Sequence, residues 1–186
     1  MKHLVEKSIL SRIDLIRDST SLSDVIDESI NKITDCLKNQ KKIILFGNGG
    51  SAADAQHIAA EFIGRFKQER NSLPAISLTT DTSIITSISN DYSFDEIFSR
   101  QCESLVNSGD VVIAISTSGD SKNIELGIKT SKQNGAVIIG LLGNNGGKIK
   151  NSVDIPIIVN SKDTAKIQEI HRIIYHIICE HVEKNL

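Results

Sequence analysis

Apolar residues along the chain alternate between short continuous runs and longer stretches with helical spacing. Continuous apolar runs bounded by Gly, Pro or Asp are typical of strands buried on both faces of a parallel sheet. Five such runs are predicted as strands, over residues 43–46, 75–79, 111–115, 136–142 and 153–159. Strands that alternate with helices predict an α/β fold, a three-layer αβα sandwich around a central five-stranded parallel sheet.

Two amphipathic helices precede the first strand, and one long amphipathic helix ends the chain. We expect one domain over residues 1–186, with leading helices in 1–38, the sheet and its crossover helices in 42–159, and the C-terminal helix in 163–184. The apolar stripes of the leading and last helices exceed what one five-stranded sheet can cover. This excess predicts a homo-oligomer, because a symmetric partner is the usual cover for such a surface.

The stretch 42–66 joins a buried strand, a glycine-rich turn and a helix. Residues 47–50, Gly-Asn-Gly-Gly, can adopt positive φ angles and let the backbone approach a ligand closely. Ser51 is the predicted N-cap, with the helix starting at Ala52. Free N–H groups and the positive end of the helix dipole bind anions, so this turn is a candidate phosphate site.

The helix after this turn carries a polar stripe of Asp54, His57, Glu61 and Arg65. One interpretation is a solvated face with a Glu61–Arg65 ion pair. The other is functional, because an imidazole and a carboxylate one turn apart, close to a phosphate site, suit metal binding or proton transfer.

A second polar loop follows the third predicted strand, where Ser116, Thr117, Ser118 and Ser121 supply four hydroxyls. Hydroxyl donors and helix-start amides can cradle a phosphate without Lys or Arg, whereas the alternative is an ordinary polar turn. Asp120 would repel a phosphate, so we expect it to point away or to cap the helix. Both loops follow strands, and open α/β sheets bind ligands beyond the carboxyl ends of their strands.

The first turn also matches the G-x-G-x-x-A pattern of dinucleotide sites, over residues 47–52. The acidic residue that closes the second strand, Asp81, lies further along than the usual interval of about 20 residues. A Walker-type nucleotide site is not expected, because no Gly-Lys-Ser/Thr follows the turn.

Composition narrows the range of partners. The chain has 39% hydrophobic residues but no run near the roughly 20 apolar residues of a membrane span. It has 21 basic and 23 acidic side chains, and the basic residues do not cluster with aromatic ones, so a small ligand is expected rather than a nucleic acid or a membrane. The N-terminal segment does not resemble a signal peptide, and Cys36, Cys102 and Cys179 lack metal-motif spacing. We expect a cytoplasmic protein with buried thiols.

Motifs distributed over the whole chain resemble those of one family. These motifs are Gly47–Ser51, His57, Glu61, Gly64–Phe66, Asn90–Asp91, Ser116–Gly119, Ser121, Gln168–Glu169, His171 and His176. In combination they are similar to the motifs of the sugar isomerase (SIS) domain family, and within it to those of the bacterial phosphoheptose isomerases.

The resemblance implies conversion of sedoheptulose 7-phosphate into D-glycero-D-manno-heptose 7-phosphate, a precursor of the heptose of lipopolysaccharide core or capsule. It also implies one zinc ion per subunit and a homotetramer. The implied zinc ligands are His57, Glu61, Gln168 and His176. The implied substrate-binding residues are Asn48, Gly49, Gly50, Ser51, His57, Glu61, Asn90, Asp91, Ser116, Thr117, Ser118, Ser121 and Gln168.

Interconversion of a ketose and an aldose requires a base, an acid and a way to stabilise the enediol. We assign Glu61 as the base and His176 as the acid, although His176 alone would fit a packed helix interface equally well. Zinc could polarise the carbonyl group, but zinc ligation and proton transfer by the same residues compete. The alternative class is a non-catalytic SIS-domain regulator or scaffold, and the presence of both Glu61 and His176 favours the enzyme.

The oligomer has a consequence for the site. Gln168 and His176 lie eight residues apart, which on one helix separates their backbones by about 12 Å. We therefore expect an active site shared between subunits, in which Glu61 and His176 can come from different chains.

Overall fold

A computed structural model of the chain describes residues 2–186. In this range seven α-helices and five strands follow one another. Their bounds are α1 Lys2–Asp18, α2 Ser23–Lys38, β1 Ile43–Gly47, α3 Gly50–Ile63, β2 Ala75–Ser77, α4 Thr82–Asp91, α5 Ser99–Leu105, β3 Val111–Ser116, α6 Lys122–Gln133, β4 Val137–Gly143, β5 Ile155–Val159 and α7 Thr164–Asn185. Three short 3-10 turns connect some of them, at residues 19–22, 94–96 and 149–151.

The five strands form one parallel sheet in the order β2-β1-β3-β4-β5. This is the flavodoxin-like order, in which the chain winds to one side after β1 and to the other side after β3. In the pairing of β1 with β3, Gly47 lies opposite Ile115. The two polar loops therefore leave adjacent strands at the same edge of the sheet, as expected from the sequence.

Apolar residues on both faces of the sheet form two cores. One core lies between the sheet and helices α2, α3 and α7, and the other includes residues of α5 and α6. The four side chains of residues 43–46 are each 0% exposed, because helices cover both faces of β1. The predicted three-layer sandwich with a parallel five-stranded sheet is confirmed.

Helix α1 differs from the other long helices because none of residues 2–18 is buried. Leu4, Ile9 and Leu10 are each more than half exposed. The helix touches α7 through an ion pair of 2.6 Å between Arg12 Nε and Glu169 Oε2. The apolar stripe predicted on α1 thus remains uncovered within one chain.

The structure corrects two local predictions. Helix α3 starts at Gly50, not Ala52, because Gly49 takes a positive φ of 56° and turns the backbone into the helix two residues earlier than predicted. Ser51 is consequently a buried residue of the first turn and not the N-cap.

Asn90 and Asp91 form the end of helix α4. Ser93 precedes a 3-10 turn without a capping hydrogen bond from its side chain. Among residues 2–186, no helix has both the length and the apolar character required to cross a membrane.

Candidate active site

The turn after β1 carries the first part of the candidate site. Asn48 is partly exposed, and Gly49 and Gly50 are exposed at the start of α3. A Cβ atom at Gly50 would overlap the side-chain amide of Gln168, which reaches this helix start from α7. Glycine is therefore required at this position for the amide of Gln168 to lie against the turn.

The loop after β3 is shaped by its own hydroxyls. Gly119, with a φ of 72°, donates its N–H to Ser116 Oγ at 3.0 Å, and Ser116 is only 3% exposed. Ser118 Oγ accepts the N–H of Asp120 at 3.2 Å, and Ser121 Oγ lies 3.5 Å from Ser116 Oγ. The loop curls around its hydroxyl groups at the carboxyl end of the sheet.

The carboxylate of Asp120 is held by the turn after β4, where Oδ1 accepts the N–H of Lys148 at 3.0 Å. It does not cap α6, because the N-cap of that helix is Ser121, whose side chain makes no capping bond. Of the two roles expected for Asp120, the helix cap is wrong.

A pair of amides links the two loops. Asn48 Nδ2 donates to Asn123 Oδ1 at 2.9 Å, and Asn123 Nδ2 donates to Asn48 Oδ1 at 3.0 Å. Asn123 is 2% exposed in the first turn of α6. Sequence reasoning missed this residue, although the adjacency of β1 and β3 could have indicated a partner for Asn48 at the start of α6.

Three candidate residues meet on the side of α3 that faces α7. Donor atoms of His57, Glu61 and His176 all lie within 4.8 Å of one another. His57 Nε2 is 2.8 Å from Glu61 Oε1. The interpretation with a Glu61–Arg65 ion pair is wrong, because Arg65 pairs with Glu69 at 3.5 Å. The carboxylate of Glu61 contacts His57 instead of Arg65, because Glu61 and His57 both lie on the side of α3 that faces α7.

His176 packs among rings. Its ring centroid lies 5.1 Å from that of His57, and Phe66 stacks on it at 5.5 Å with an interplanar angle of 22°. Burial and the neighbouring His57 lower the pKa of His176, so its neutral form is favoured. Glu61 and His176 lie together within one chain, so the expectation that different chains supply them does not hold.

Asp54 belongs to the polar stripe of α3, for which a solvated face was one of two interpretations, but it is 1% exposed. Its Oδ1 accepts from Arg172 Nη2 at 3.2 Å and from the hydroxyl of Tyr175 at 3.4 Å. The same hydroxyl lies 3.0 Å from His57 Nδ1. Sequence reasoning missed Asp54 and Arg172 as neighbours of the cluster, because the contacts join residues 118 and 121 positions apart.

His171 belongs to the core and not to the cluster. It is 0% exposed, and its Nε2 lies 3.0 Å from the carbonyl oxygen of Leu142. Burial lowers the pKa of His171 to about 4, so this imidazole is neutral at neutral pH.

The remaining candidates lie on α7, on the turn after β1 and at the end of α4. Gln168 and His176 line one open cavity of about 500 Å³ on α7. Asn48 and Gly49 line a smaller cavity of about 170 Å³ that also contacts Ile85 of α4. Asn90 and Asp91 are exposed at the end of α4, and Asn90 Nδ2 donates to Asp91 Oδ1 at 2.9 Å.

The family model of the SIS domain matches residues 9–143 of the chain, which together with the fold defines an SIS-domain protein. A phosphoheptose isomerase of Citrifermentans bemidjiense is 53% identical over 165 residues, which cover 89% of this chain and 86% of that protein. A phosphoheptose isomerase of Clostridium acetobutylicum is 48% identical over 190 residues, covering 100% and 96%. The solved phosphoheptose isomerase of Neisseria gonorrhoeae superposes with a TM-score of 0.93 at 37% identity, covering 98% of each chain. The chain belongs to the phosphoheptose isomerase family.

Proposed function

We propose that the protein isomerises sedoheptulose 7-phosphate to D-glycero-D-manno-heptose 7-phosphate, a heptose precursor for lipopolysaccharide core or capsule. The observation that carries this proposal is the cluster of His57, Glu61 and His176, whose donor atoms lie within 4.8 Å of one another. Membership of the phosphoheptose isomerase family supports the substrate class.

The phosphate of the sugar is proposed to bind at the loop after β3. Ser116, Thr117, Ser118 and Ser121 supply hydroxyl donors, and α6 begins directly after them at Lys122. Helix-start N–H groups and hydroxyls bind a phosphate dianion without a fixed positive side chain. The engagement of the Asp120 carboxylate by Lys148 N supports this assignment, because it reduces the repulsion of a bound phosphate.

At the other end of the substrate, Glu61 is the proposed base. Its Oε1 is bonded to His57, whereas Oε2 has no hydrogen-bond partner among residues 2–186 and is available to take the proton from the carbon beside the carbonyl. The side chain is 19% exposed, so the carboxylate is accessible but largely shielded from water. His176 is the proposed acid for the carbonyl oxygen, held in orientation by Phe66.

The donor set of this cluster fits zinc. Two imidazoles and one carboxylate are a ligand set of catalytic zinc sites, which leave a further position for water or substrate. Gln168, which lines the same cavity as His176, is the proposed fourth ligand. Zinc, when bound, would polarise the carbonyl group and stabilise negative charge on the enediol. Glu61 has two oxygens, so one can serve as a ligand while the other accepts a proton.

Zinc content is expected to be about one ion per subunit in protein purified without chelators, and close to zero in a His57→Ala variant. His57 is chosen because both of its ring nitrogens are engaged in the cluster. His181→Ala is the matched control, because His181 is an exposed histidine on α7 that lines the groove toward α1 and α2. Elemental analysis that finds no zinc in a fully active wild type would remove the metal from the mechanism.

A homotetramer is proposed as the assembly. Ile16 of α1 lines a groove of about 330 Å³ between α1, α2 and α7, together with Ile26, Ile173 and Ile177. An apolar surface of this kind is typically covered by another subunit. A cytoplasmic location is also proposed, and it is supported by the three cysteines, which are all free and buried.

The second candidate is a non-catalytic regulator that binds sugar phosphates. The same fold, at 12% identity and a TM-score of 0.71, occurs in the NanR protein of Vibrio vulnificus complexed with ManNAc-6P. The assembled acid–base cluster favours the enzyme, because a binding module does not require Glu61 and His176 to converge.

Incubation with ketose phosphates of five, six and seven carbons distinguishes the two candidates. We expect aldose formation from the seven-carbon phosphate, and much less from the shorter sugars or from unphosphorylated sedoheptulose. Tight binding of the heptose phosphate without any turnover would support the regulator.

A further inference from the structure

The hydroxyl of Tyr175 contacts three polar side chains, those of His57, Asp54 and Arg172. Tyr175 is 2% exposed on α7. Its oxygen lies 3.0 Å from His57 Nδ1 and 3.4 Å from Asp54 Oδ1, and it accepts a hydrogen bond from Arg172 Nε at 3.1 Å. Arg172 also donates to Asp54 through Nη2 at 3.2 Å. A buried carboxylate is thereby connected to the cluster through one hydroxyl group.

With one proton on the imidazole of His57, the donors and acceptors around the Tyr175 hydroxyl permit two arrangements. A tyrosine hydroxyl donates one hydrogen bond and accepts two, and arginine can only donate. In the first arrangement, Tyr175 donates to Asp54 and accepts from a proton on His57 Nδ1. In the second arrangement, Tyr175 donates to Nδ1, and the ring proton of His57 lies on Nε2, where Glu61 Oε1 accepts it at 2.8 Å.

Only the first arrangement uses every hydrogen-bonding capacity of the hydroxyl and also gives the buried Asp54 a second donor. It leaves no proton on Nε2 at the 2.8 Å contact with Glu61 Oε1, so Glu61 favours the second arrangement without a metal ion, and the first requires a cation bound between these two acceptors. Histidines that bind metals almost always donate their other ring N–H to a fixed acceptor, and the loss of that acceptor typically costs about 10- to 100-fold in metal affinity or activity.

We propose that Tyr175, oriented by Asp54 and Arg172, is a positioning residue that holds the ring proton of His57 on Nδ1 and frees Nε2 for a metal ion. The inference rests on the metal site of the proposed function. The His57–Tyr175 pair carries two protons in both arrangements, and exchange with water transfers the imidazole proton from Nε2 to Nδ1. Asp54 and Arg172 act only through the hydroxyl, and none of the three needs to touch the sugar.

Removal of the hydroxyl tests this role. Tyr175→Phe is expected to weaken binding of zinc by about 10- to 100-fold, measured by competition of zinc alone with a chelator. Tyr92→Phe is the matched control, since it deletes the other tyrosine hydroxyl of the chain, an exposed one that accepts from Arg100 Nη2 at 3.3 Å. We expect the control to bind zinc as the wild type does. Equal zinc affinity of Tyr175→Phe and wild type would overturn the proposal.

A second readout does not depend on zinc. In metal-free protein with ¹⁵N-labelled histidine at about pH 8.5, where an ordinary imidazole is neutral, the Nδ1 signal of His57 is expected to move toward that of an unbonded nitrogen in Tyr175→Phe. The signal should stay in place in Tyr92→Phe. An unmoved signal in Tyr175→Phe would contradict the proposal.

These measurements also distinguish a failure of the role proposed for Tyr175 from a failure of the proposed function. If the wild type binds no zinc, the metal assignment fails, whereas the Nδ1 signal still decides whether Tyr175 bonds to His57. Should Tyr175→Phe not fold, the zinc-loaded wild type provides the test. Its His57 Nδ1 proton must exchange slowly with water and show a magnetisation transfer to the ring of Tyr175. A rapidly exchanging proton would overturn the proposal.

Discussion

Replacement of Glu61 by Gln is expected to lower turnover by about two orders of magnitude or more, the usual effect of losing a positioned acid–base group. Gln preserves the size of the side chain but cannot accept a proton from carbon. The fold should persist, because Glu61 is only partly buried and lies outside both apolar cores. The measurement is the rate at saturating sugar phosphate.

Glu69→Gln is the matched control, since it removes an exposed carboxylate only eight residues further along that pairs with Arg65. We expect wild-type turnover from this control. Ser121→Ala provides a contrast within the site, because loss of a phosphate contact should raise KM more than it lowers turnover. A Glu61→Gln enzyme with nearly normal turnover would exclude Glu61 as the base.

The geometry also changes the expectation for mixed oligomers. Because Glu61 and His176 lie together in one chain, a Glu61→Gln subunit and a His176→Ala subunit each contain an incomplete cluster. Hybrid oligomers of the two variants are therefore not expected to regain activity.

The sheet was predictable because its strands are buried on both faces and read as continuous apolar runs. Strands β1 and β3 appear in the structure within one residue of their predicted ends. The positions of the two polar loops followed from the same runs, since the carboxyl ends of parallel strands share one edge. The pattern of apolar residues was therefore sufficient to predict the layer architecture and the location of the ligand-binding crevice.

The inner arrangement of the site was not predictable in this way. Asp54 has the sequence appearance of a solvated helix residue, and only the packing of α7 on α3 buries it beside Arg172 and Tyr175. Asn123 presents the same difficulty, because its partner Asn48 lies 75 residues away. Contacts between elements distant in sequence decide which polar residues are buried, and periodicity within one helix does not contain that information.

A further buried polar group outside the cluster binds the segment after α3 to the end of α7. The side chain of Glu183 is 1% exposed, and its two oxygens accept the backbone N–H groups of Phe66, Lys67 and Gln68. Arg70 Nε donates to the same carboxylate at 3.0 Å. One side chain thus satisfies three backbone donors and one guanidinium.

Arg70 extends this contact to the site. Its side chain is 13% exposed, and its Nη2 donates to the backbone carbonyl of Glu61 at 2.8 Å. Phe66, whose N–H is bonded to Glu183, carries the ring that stacks on His176. The Arg70–Glu183 ion pair therefore stabilises the fold and also contacts the segments that orient the proposed base, Glu61, and the proposed acid, His176.

Glu183→Gln is expected to lower the free energy of unfolding by about 3–5 kcal/mol, because the largely buried guanidinium of Arg70 and three backbone N–H groups lose their carboxylate partner. The side-chain amide of the new Gln would also direct its own N–H groups at these backbone N–H donors, which is unfavourable. Urea denaturation at a fixed protein concentration measures the change, since association of subunits also contributes to stability. Glu180→Gln on the same helix is the control, because Glu180 pairs with Lys67 and Lys184 at the surface, where ion pairs contribute little.

The pH dependence of this difference follows from the ionisation of Glu183. Burial opposes ionisation, but the backbone donors Lys67, Gln68 and Phe66, together with Arg70, outweigh it and lower the pKa of Glu183 below its ordinary value of 4.5. A carboxylate with a lowered folded-state pKa stabilises the fold above the unfolded-state pKa, and its contribution is lost as the pH falls through the folded-state pKa. The difference between wild type and Glu183→Gln should be complete at neutral pH and shrink progressively below 4.5. A difference that stays constant through this acid range would show that the stabilisation does not come from the ionised carboxylate.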